Sequence, residues 1–264
     1  MKNIIQLISF LIIFALTLFI PTNSFATDSI LITISDNMDN VIFDGKWTDR
    51  AEWKNSSVNN LSYDNMEIQL RTAHQDEFIF ILIDVIGDHN LAKGSDKAII
   101  CFDTENNKTQ KPGIDDYCFM SVLGKEIPFT FQGNSSFAIN GYFQKIINHK
   151  QLIGTSSISD ENDRYSKTPH ATYEFKIPID IIGRSQIYGF YLSVYDSYTN
   201  KHFSWPENSI SNNLLYVPST NQWGEIISPD KSLPEFELSF ILIVPALLVV
   251  IYLTNSKVFK TFSL

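Results

Sequence analysis

This chain has no basic cluster. Its 20 Lys and Arg residues are outnumbered by 29 Asp and Glu, giving a net charge of −9, and no segment gathers the cations together. A surface that grips phosphate needs clustered Lys and Arg, so nucleic acid is excluded as a partner. A Gly-rich phosphate loop, zinc-ligand spacing and a Ser–His–Asp order are also missing. The adjacent acids Asp115 and Asp116 do not replace them, because hydrolytic carboxylates must straddle a substrate ~5–9 Å apart. Catalysis therefore finds no machinery, and the chain reads as a non-enzyme. Internal repeats and composition breaks are absent too, so one domain is expected between the two ends. Cysteine is nearly absent, with only Cys101 and Cys118.

Those two cysteines flank the most informative stretch. Ala98–Phe102 and Tyr117–Val122 are apolar runs on either side of a loop rich in Asp, Asn, Gly and Pro, the pattern of two paired strands. One cysteine on each run reads as a cross-link between them. In the chain-entropy model, closing about 16 residues is worth ~3 kcal/mol at most. The loop also concentrates oxygen donors. Calcium takes six to eight hard oxygens, and Asp103, Glu105, Asn107, Asp115 and Asp116 are the candidate ligands. The spacing is not that of an EF-hand, since Lys108 stands where the glycine is needed and Ile114 where the terminal acid is. A solvated acidic turn is the alternative.

The ends set the compartment. Met1–Ala26 has Lys2, an apolar run over Ile4–Ile20, a break at Pro21 and small residues at Ser24 and Ala26, the layout of a secretory signal cleaved after Ala26, with an uncleaved amino-terminal anchor as the alternative. Export permits the disulfide. At the other end Leu238–Leu253 is about 16 apolar residues, roughly 24 Å as a helix, which neighbouring residues extend towards a ~30 Å hydrocarbon layer. Acids precede it and Lys257 and Lys260 follow, so the domain is expected outside and the tail inside. The expected layout is signal 1–26, domain 27–228, linker 229–237, membrane helix 238–254 and cytoplasmic tail 255–264. Cell-surface localisation follows. Pro234, Glu235 and Phe236, directly before the helix, resemble the PEF-CTERM type of archaeal sorting tail. That resemblance implies recognition by an archaeosortase and exchange of the helix for a lipid.

Between the ends the pattern is β-rich, as 20 Phe, 11 Tyr and 4 Trp suit. Expected strands are Ile30–Ser35, Val41–Phe43, Met66–Ala73, Phe78–Ile86, the cysteine pair, Phe129–Phe131, Phe137–Ile139, Tyr142–Ile147, Ala171–Ile177, Tyr188–Asp196 and Trp223–Ile227. Lys46–Trp53 and Pro178–Ile182 read as helical turns. Asn55–Asn65 reads as a polar connection, and Ser156–Lys167 as a mobile loop. An antiparallel β-sandwich accounts for this series.

The ordered set VIFDGKWTDRAEW, Leu70–Asp84, DKAIICFDTENN, ATYEFKIPIDII and WGEI, spanning nearly all of Phe43–Ile227, resembles the carbohydrate-binding module 9-like domains, which belong with DOMON-like β-sandwiches. The resemblance implies a cell-surface domain that binds sugars, an enzyme appendage or, in one branch, a haem carrier. It makes Trp53 and Trp223 structural. Sugar binding uses aromatic faces with Asn, Asp or Arg donors and acceptors, and Trp205, in the polar stretch His202–Pro206, is the candidate platform. A second stacking aromatic is implied near His89–Ser95, where this chain has none. Haem needs axial His or Met, but His74, His89, His149, His170 and His202 all fall in or beside expected loops. Sequons begin at Asn55, Asn60, Asn107 and Asn134. Two readings remain: a membrane-anchored binder of envelope or extracellular glycans, and a structural envelope component that carries glycans and binds none.

Overall fold

A computed structural model describes residues 29–49, 51–133, 143–207, 215 and 217–227. Its strands are β1 (Ser29–Leu31), β2 (Thr33–Ile34), β3 (Ser57–Tyr63), β4 (Met66–Gln75), β5 (Phe78–Val85), β6 (Lys97–Asp103), β7 (Asp116–Val122), β8 (Phe129–Gly133), β9 (Phe143–Ile146), β10 (Ile153–Ile158), β11 (Ala171–Pro178), β12 (Ile187–Asp196), β13 (Lys201–Trp205) and β14 (Gly224–Ile227). Among the described residues the α-helical turn is α1 (Ile179–Ile182), entered from Pro178. They form two sheets. The eight-stranded sheet runs β1-β14-β12-β6-β7-β8-β9, with β13 also on β12. The six-stranded sheet runs β10-β11-β5-β4-β2, with β3 also on β4.

The expected all-β sandwich is present, with two parallel pairings that the antiparallel expectation missed. β1 lies parallel to β14, and β2 parallel to β4. The expected single strand Ile30–Ser35 therefore serves both sheets, its first half in one and its second half in the other. The alternation explains where each side chain goes. On β5, Ile79, Ile81, Ile83 and Val85 point into the core between the sheets, together with Tyr173 and Phe175 of β11 and Phe102, Phe119, Phe190 and Leu192 of the facing sheet. Phe80 and Leu82 point the other way, onto Met38, Val41, Trp47 and Trp53. The outer face of the six-stranded sheet is thus roofed by residues 38–53.

That roof is pinned by a buried carboxylate. Glu174, on the outer face of β11, accepts from Gly45 N at 2.7 Å and from Trp53 Nε1 at 2.9 Å. Burial pushes its pKa well above the ordinary value despite those donors. Gly45 sits at φ 79°, and a Cβ there would lie 2.4 Å from the Ser156 carbonyl carbon, so only glycine fits. Trp53 is fully buried and Trp223 is 4% exposed, as their structural role requires. A second roof covers the outer face of the other sheet, where Val217 and Trp223 pack on Ile99, Tyr191 and the two cysteines.

Several local expectations are corrected. Val41–Phe43 forms no strand and belongs to the roof, where a short 3-10 turn follows at Glu52–Asn55. Asn55–Asn65 is mostly strand, because β3 borders β4 with one side in solvent and tolerates polar residues. Ser156 and Ile158 close β10, and only the remainder of Ser156–Lys167 is loop. Trp205 ends strand β13 rather than lying in a loop. Phe137–Ile139, residues 1–28 and residues 228–264 lie outside the described residues, and with them the signal, the sorting triplet and Leu238–Leu253. Among the described residues no helix is long and apolar enough to cross a membrane.

Candidate functional site

Three features gather functional side chains, and the cysteine hairpin is the first. Cys101 and Cys118 are directly opposed across β6 and β7, with Cα atoms 4.0 Å apart, and are joined as a disulfide. Asp103 and Asp116 are likewise directly opposed two residues along. Both are fully buried, an arrangement of like charges that costs stability without compensation. Asp115 joins them, and one carboxylate oxygen of each lies within 4.8 Å of the others.

The donors around this group are few. Asp103 accepts from the backbone N–H of Asn107 at 3.2 Å and of Lys108 at 2.9 Å. Asp116 accepts from Gly113 N at 2.6 Å through Oδ2, while its Oδ1 is buried and accepts nothing. Burial, then the charges of Asp103, Asp115 and Glu105, push Asp116 up to about 8. The adjacent Lys108 ammonium does not neutralise the group. It donates instead to the carbonyls of Trp223 at 2.9 Å and Gly224 at 3.2 Å. Of the five expected metal ligands, Asp103, Asp115 and Asp116 converge. Asn107 donates its amide to Asp115 at 2.8 Å, and Glu105 is exposed. Six to eight hard oxygens suit calcium, and this cluster supplies three carboxylates with one orphaned oxygen.

The second feature is a cleft of about 570 Å³ at one end of the sandwich. The β3–β4 turn, residues 87–90 and the β12–β13 hairpin form it. Tyr63 and Phe203 line it with ring centroids 5.5 Å apart. Asp64, Asn65, Asn90 and Lys201 add exposed polar groups. Tyr63 is held by a hydrogen bond from its hydroxyl to Ser204 O at 2.8 Å, and burial raises its pKa. Asp88, at the buried edge of the cleft, is pushed up to about 6 by burial and then by the charges of Asp96 and Asp196.

Trp205 is half-buried, with its ring on Phe190 at 6.0 Å and against the core between the sheets. It does not line the cleft. The aromatics that do, Tyr63 and Phe203, do not stand out in the sequence, because Tyr63 lies in a stretch that reads as a polar connection. The alternation of Val58, Asn60 and Ser62 outward against Asn59, Leu61 and Tyr63 was the available signal.

The third feature lies on the outer face of the six-stranded sheet. Asp84, next after Leu82 on that face, meets His170 at 2.5 Å, and Asp163 is 3.9 Å from the same ring nitrogen. Among the sequons, Asn55 and Asn60 are exposed, and Asn107 is exposed but tied to Asp115. Asn134 lies outside the described residues.

No family model matches the sequence, and no curated protein sequence matches it. Among solved structures the chain is similar to a carbohydrate binding module family 9 from Caldicellulosiruptor kristjanssonii in complex with cellotriose, at 13% identity and a TM-score of 0.46, over 76% of this chain and 93% of that one. The same kind of module from that organism, in complex with glucose, is similar at 13% identity and a TM-score of 0.48, over 76% of this chain and 95% of that one. The cellotriose and glucose are properties of those modules, and at this distance no side-chain role passes from them to this chain.

Proposed function

We propose that this chain is a cell-surface, carbohydrate-binding-module-9-like domain that recognises a neutral envelope or extracellular glycan in the Tyr63–Phe203 cleft. The single observation behind this reading is the chemistry of that cleft: two aromatic rings beside Asp64, Asn65, Asn90 and Lys201 in about 570 Å³. Aromatic faces cover the C–H side of a pyranose, and the polar groups take its hydroxyls. Asp64, Asp88, Asp196 and Glu207 against Lys201 make the lining acidic, which disfavours anionic sugars. Calcium is assigned to Asp103, Asp115 and Asp116 as a structural ion, on the opposed buried pair and the orphaned Asp116 oxygen. The amino-terminal signal, the carboxyl-terminal membrane helix and the archaeosortase tail complete the reading as a DOMON-like surface protein. Binding, not catalysis, is the role.

Screening the full chain on a glycan array tests it, with Tyr63→Ala as the decisive variant. Tyr63→Ala is expected to lower affinity for the captured glycan about tenfold or more, the loss of roughly 1.4 kcal/mol. Trp205→Ala is the companion. A loss there with folding intact and Tyr63→Ala silent would move the site to the Trp205 edge. No capture of any glycan, with or without calcium, would sink the reading. It would leave the structural envelope component, which the exposed Asn55 and Asn60 favour as glycan carriers.

A further inference from the structure

The group formed by Asp84, Asp163 and His170 has no place in sugar binding. Asp84 leaves β5 on the outer face, His170 immediately precedes β11, and Asp163 comes from the loop between β10 and β11. One ligand atom of each lies within 4.8 Å of the others. The surroundings are dry: His170 is fully buried, Asp84 is 1% exposed and Asp163 is 8% exposed.

The proton on the ring can be placed. His170 Nδ1 is 2.7 Å from the Thr168 carbonyl and 2.9 Å from Ser159 Oγ. A carbonyl only accepts, so Nδ1 carries hydrogen. In the neutral ring Nε2 then presents a lone pair, and it faces Asp84 Oδ1 at 2.5 Å. Two acceptors at that distance share a proton between them, which is how the metal-free chain holds the pair. A proton leaves the balance incomplete, because one imidazolium against two carboxylates is still net negative. Asp84 Oδ2 and Asp163 Oδ2 are also buried and accept no hydrogen bond. The remaining contacts are already committed, since Asp163 Oδ1 takes Tyr165 N at 2.8 Å and Ser166 N at 3.1 Å. Thr172 Oγ1 reaches Asp84 only through Oδ1, at 3.3 Å.

We infer that Asp84, Asp163 and His170 form a binding site for a transition-metal dication of the zinc class, which fastens the Ser159–His170 loop to the six-stranded sheet. An imidazole nitrogen with two carboxylates is a zinc-type donor set, whereas calcium takes oxygen alone. The Nδ1–H bond to a backbone carbonyl is the outer contact that orients metal-ligating histidines and leaves Nε2 for the ion. Tetrahedral ligands about 2.0–2.2 Å from one ion stand roughly 3.3–3.6 Å apart, so on metal binding Asp84 Oδ1 moves about 1 Å outward from its 2.5 Å contact and Asp163 Oδ2 moves slightly inward from 3.9 Å. Small side-chain rotations supply the rest. Asp163 also lines a surface cleft of about 710 Å³ with Trp47 and Arg164, which gives the ion a way in.

The test uses the full chain in mild detergent, stripped with dipicolinate and re-equilibrated with Zn²⁺ or Co²⁺. One zinc per chain is expected at this site, with Co²⁺ giving visible d–d absorption and millimolar Ca²⁺ displacing neither. Asp163→Asn retains the Oδ1 acceptor and is expected to fold. It and His170→Gln should each weaken zinc binding by more than the about 100-fold that an outer contact is worth. Asp115→Asn, in the cysteine hairpin, should leave it unchanged. If His170→Gln fails to fold, by near-ultraviolet circular dichroism, Asp163→Asn alone decides. Folded, stripped chain that takes up no zinc, or zinc held equally tightly by Asp163→Asn, overturns the site. Neither result depends on any glycan being bound.

Discussion

Two groups of buried carboxylates occupy the two sheets, and they differ in what surrounds their charge. In the cysteine hairpin, Asp103 and Asp116 face each other across a strand pair with Asp115 beside them, and every candidate ligand is oxygen. On the opposite sheet, Asp84 and Asp163 share His170, and one candidate ligand is nitrogen. The hairpin group is stitched by backbone N–H donors from its own loop, at Gly113, Asn107 and Lys108. The histidine group binds two distant segments together through side chains. The same physics acts on both: buried like charges must be neutralised or they unfold the region that carries them. The chemistry of the third ligand then selects the ion. Hard oxygen favours calcium, and imidazole favours zinc.

The sharpest way to separate the two groups is to remove one carboxylate from each. Asp84→Ala strips His170 of its closest partner in a fully buried setting and should cost about 3–5 kcal/mol, the scale for breaking a buried pair. Chemical denaturation of the full chain measures it, and a loss below about 1 kcal/mol would show that the Asp84–His170 contact is weak. Asp116→Asn should behave oppositely in calcium-free buffer. Asp116, pushed up to about 8, is largely protonated at neutral pH, and the amide keeps an acceptor for Gly113 N, so stability should hold near pH 7 and rise relative to wild type above pH 8.

Opening the disulfide should be next in size. Replacing Cys101 and Cys118 by Ala removes a cross-link between residues 17 apart, worth about 3 kcal/mol in the chain-entropy model. Calcium affinity should fall with it, because the same hairpin holds Asp103 and Asp116 in register. Zinc uptake should not change. Equal losses of both metals would mean that the two groups are not independent.

Calcium itself should give a smaller, titratable gain. At a concentration about 100 times its Kd, one bound ion adds about 2.7 kcal/mol, or roughly 5–10 °C in Tm for a domain of this size. Asp116→Asn should abolish that rise while leaving zinc-induced stabilisation intact. A calcium response that survives the substitution would place the ion elsewhere.

The two groups also differ in how far they could be read before the fold was known. Asp103, Asp115 and Asp116 were legible because one hairpin holds them, and strand pairing follows from local alternation and the cysteines. Asp84, Asp163 and His170 were not, because β5, the loop and β11 meet only through sheet order, which no local pattern encodes. The cleft was illegible for a related reason. Its Tyr63 lies on β3, whose Asn- and Ser-rich sequence reads as connection although edge strands tolerate it. Among the strongest strands, β5 is legible as a run apolar on both faces, β4 and β11 by their apolar–polar alternation, and β12 by its aromatic and β-branched residues. Trp53 and Trp223 read as structural from the resemblance, and both are buried. Trp205 reads as loop because the polar neighbours on the short strand β13 mask it.

Asp88 provides the contrast that isolates proton uptake from ion binding. Asp96 and Asp196 raise its pKa through their charges after burial has done most, Tyr173 faces the same acids, and His89 opposes them slightly. Its carboxyl titrates near 6 in the folded chain, against about 3.9 when unfolded. The folded state therefore holds the proton more tightly. Protonated Asp88 is harmless below about pH 4, and the penalty for its charge grows as pH rises through 6 and is then complete. Over that window the wild-type chain should lose up to about 3 kcal/mol relative to Asp88→Asn, measured as the difference between the two denaturation curves at each pH in chelator. Taking the difference cancels the titration of both carboxylate clusters, which the variant leaves untouched. A gap between the curves that stays constant from pH 4 to 7 would show that Asp88 is not perturbed. It would also weaken the view that buried acids here require a compensating cation.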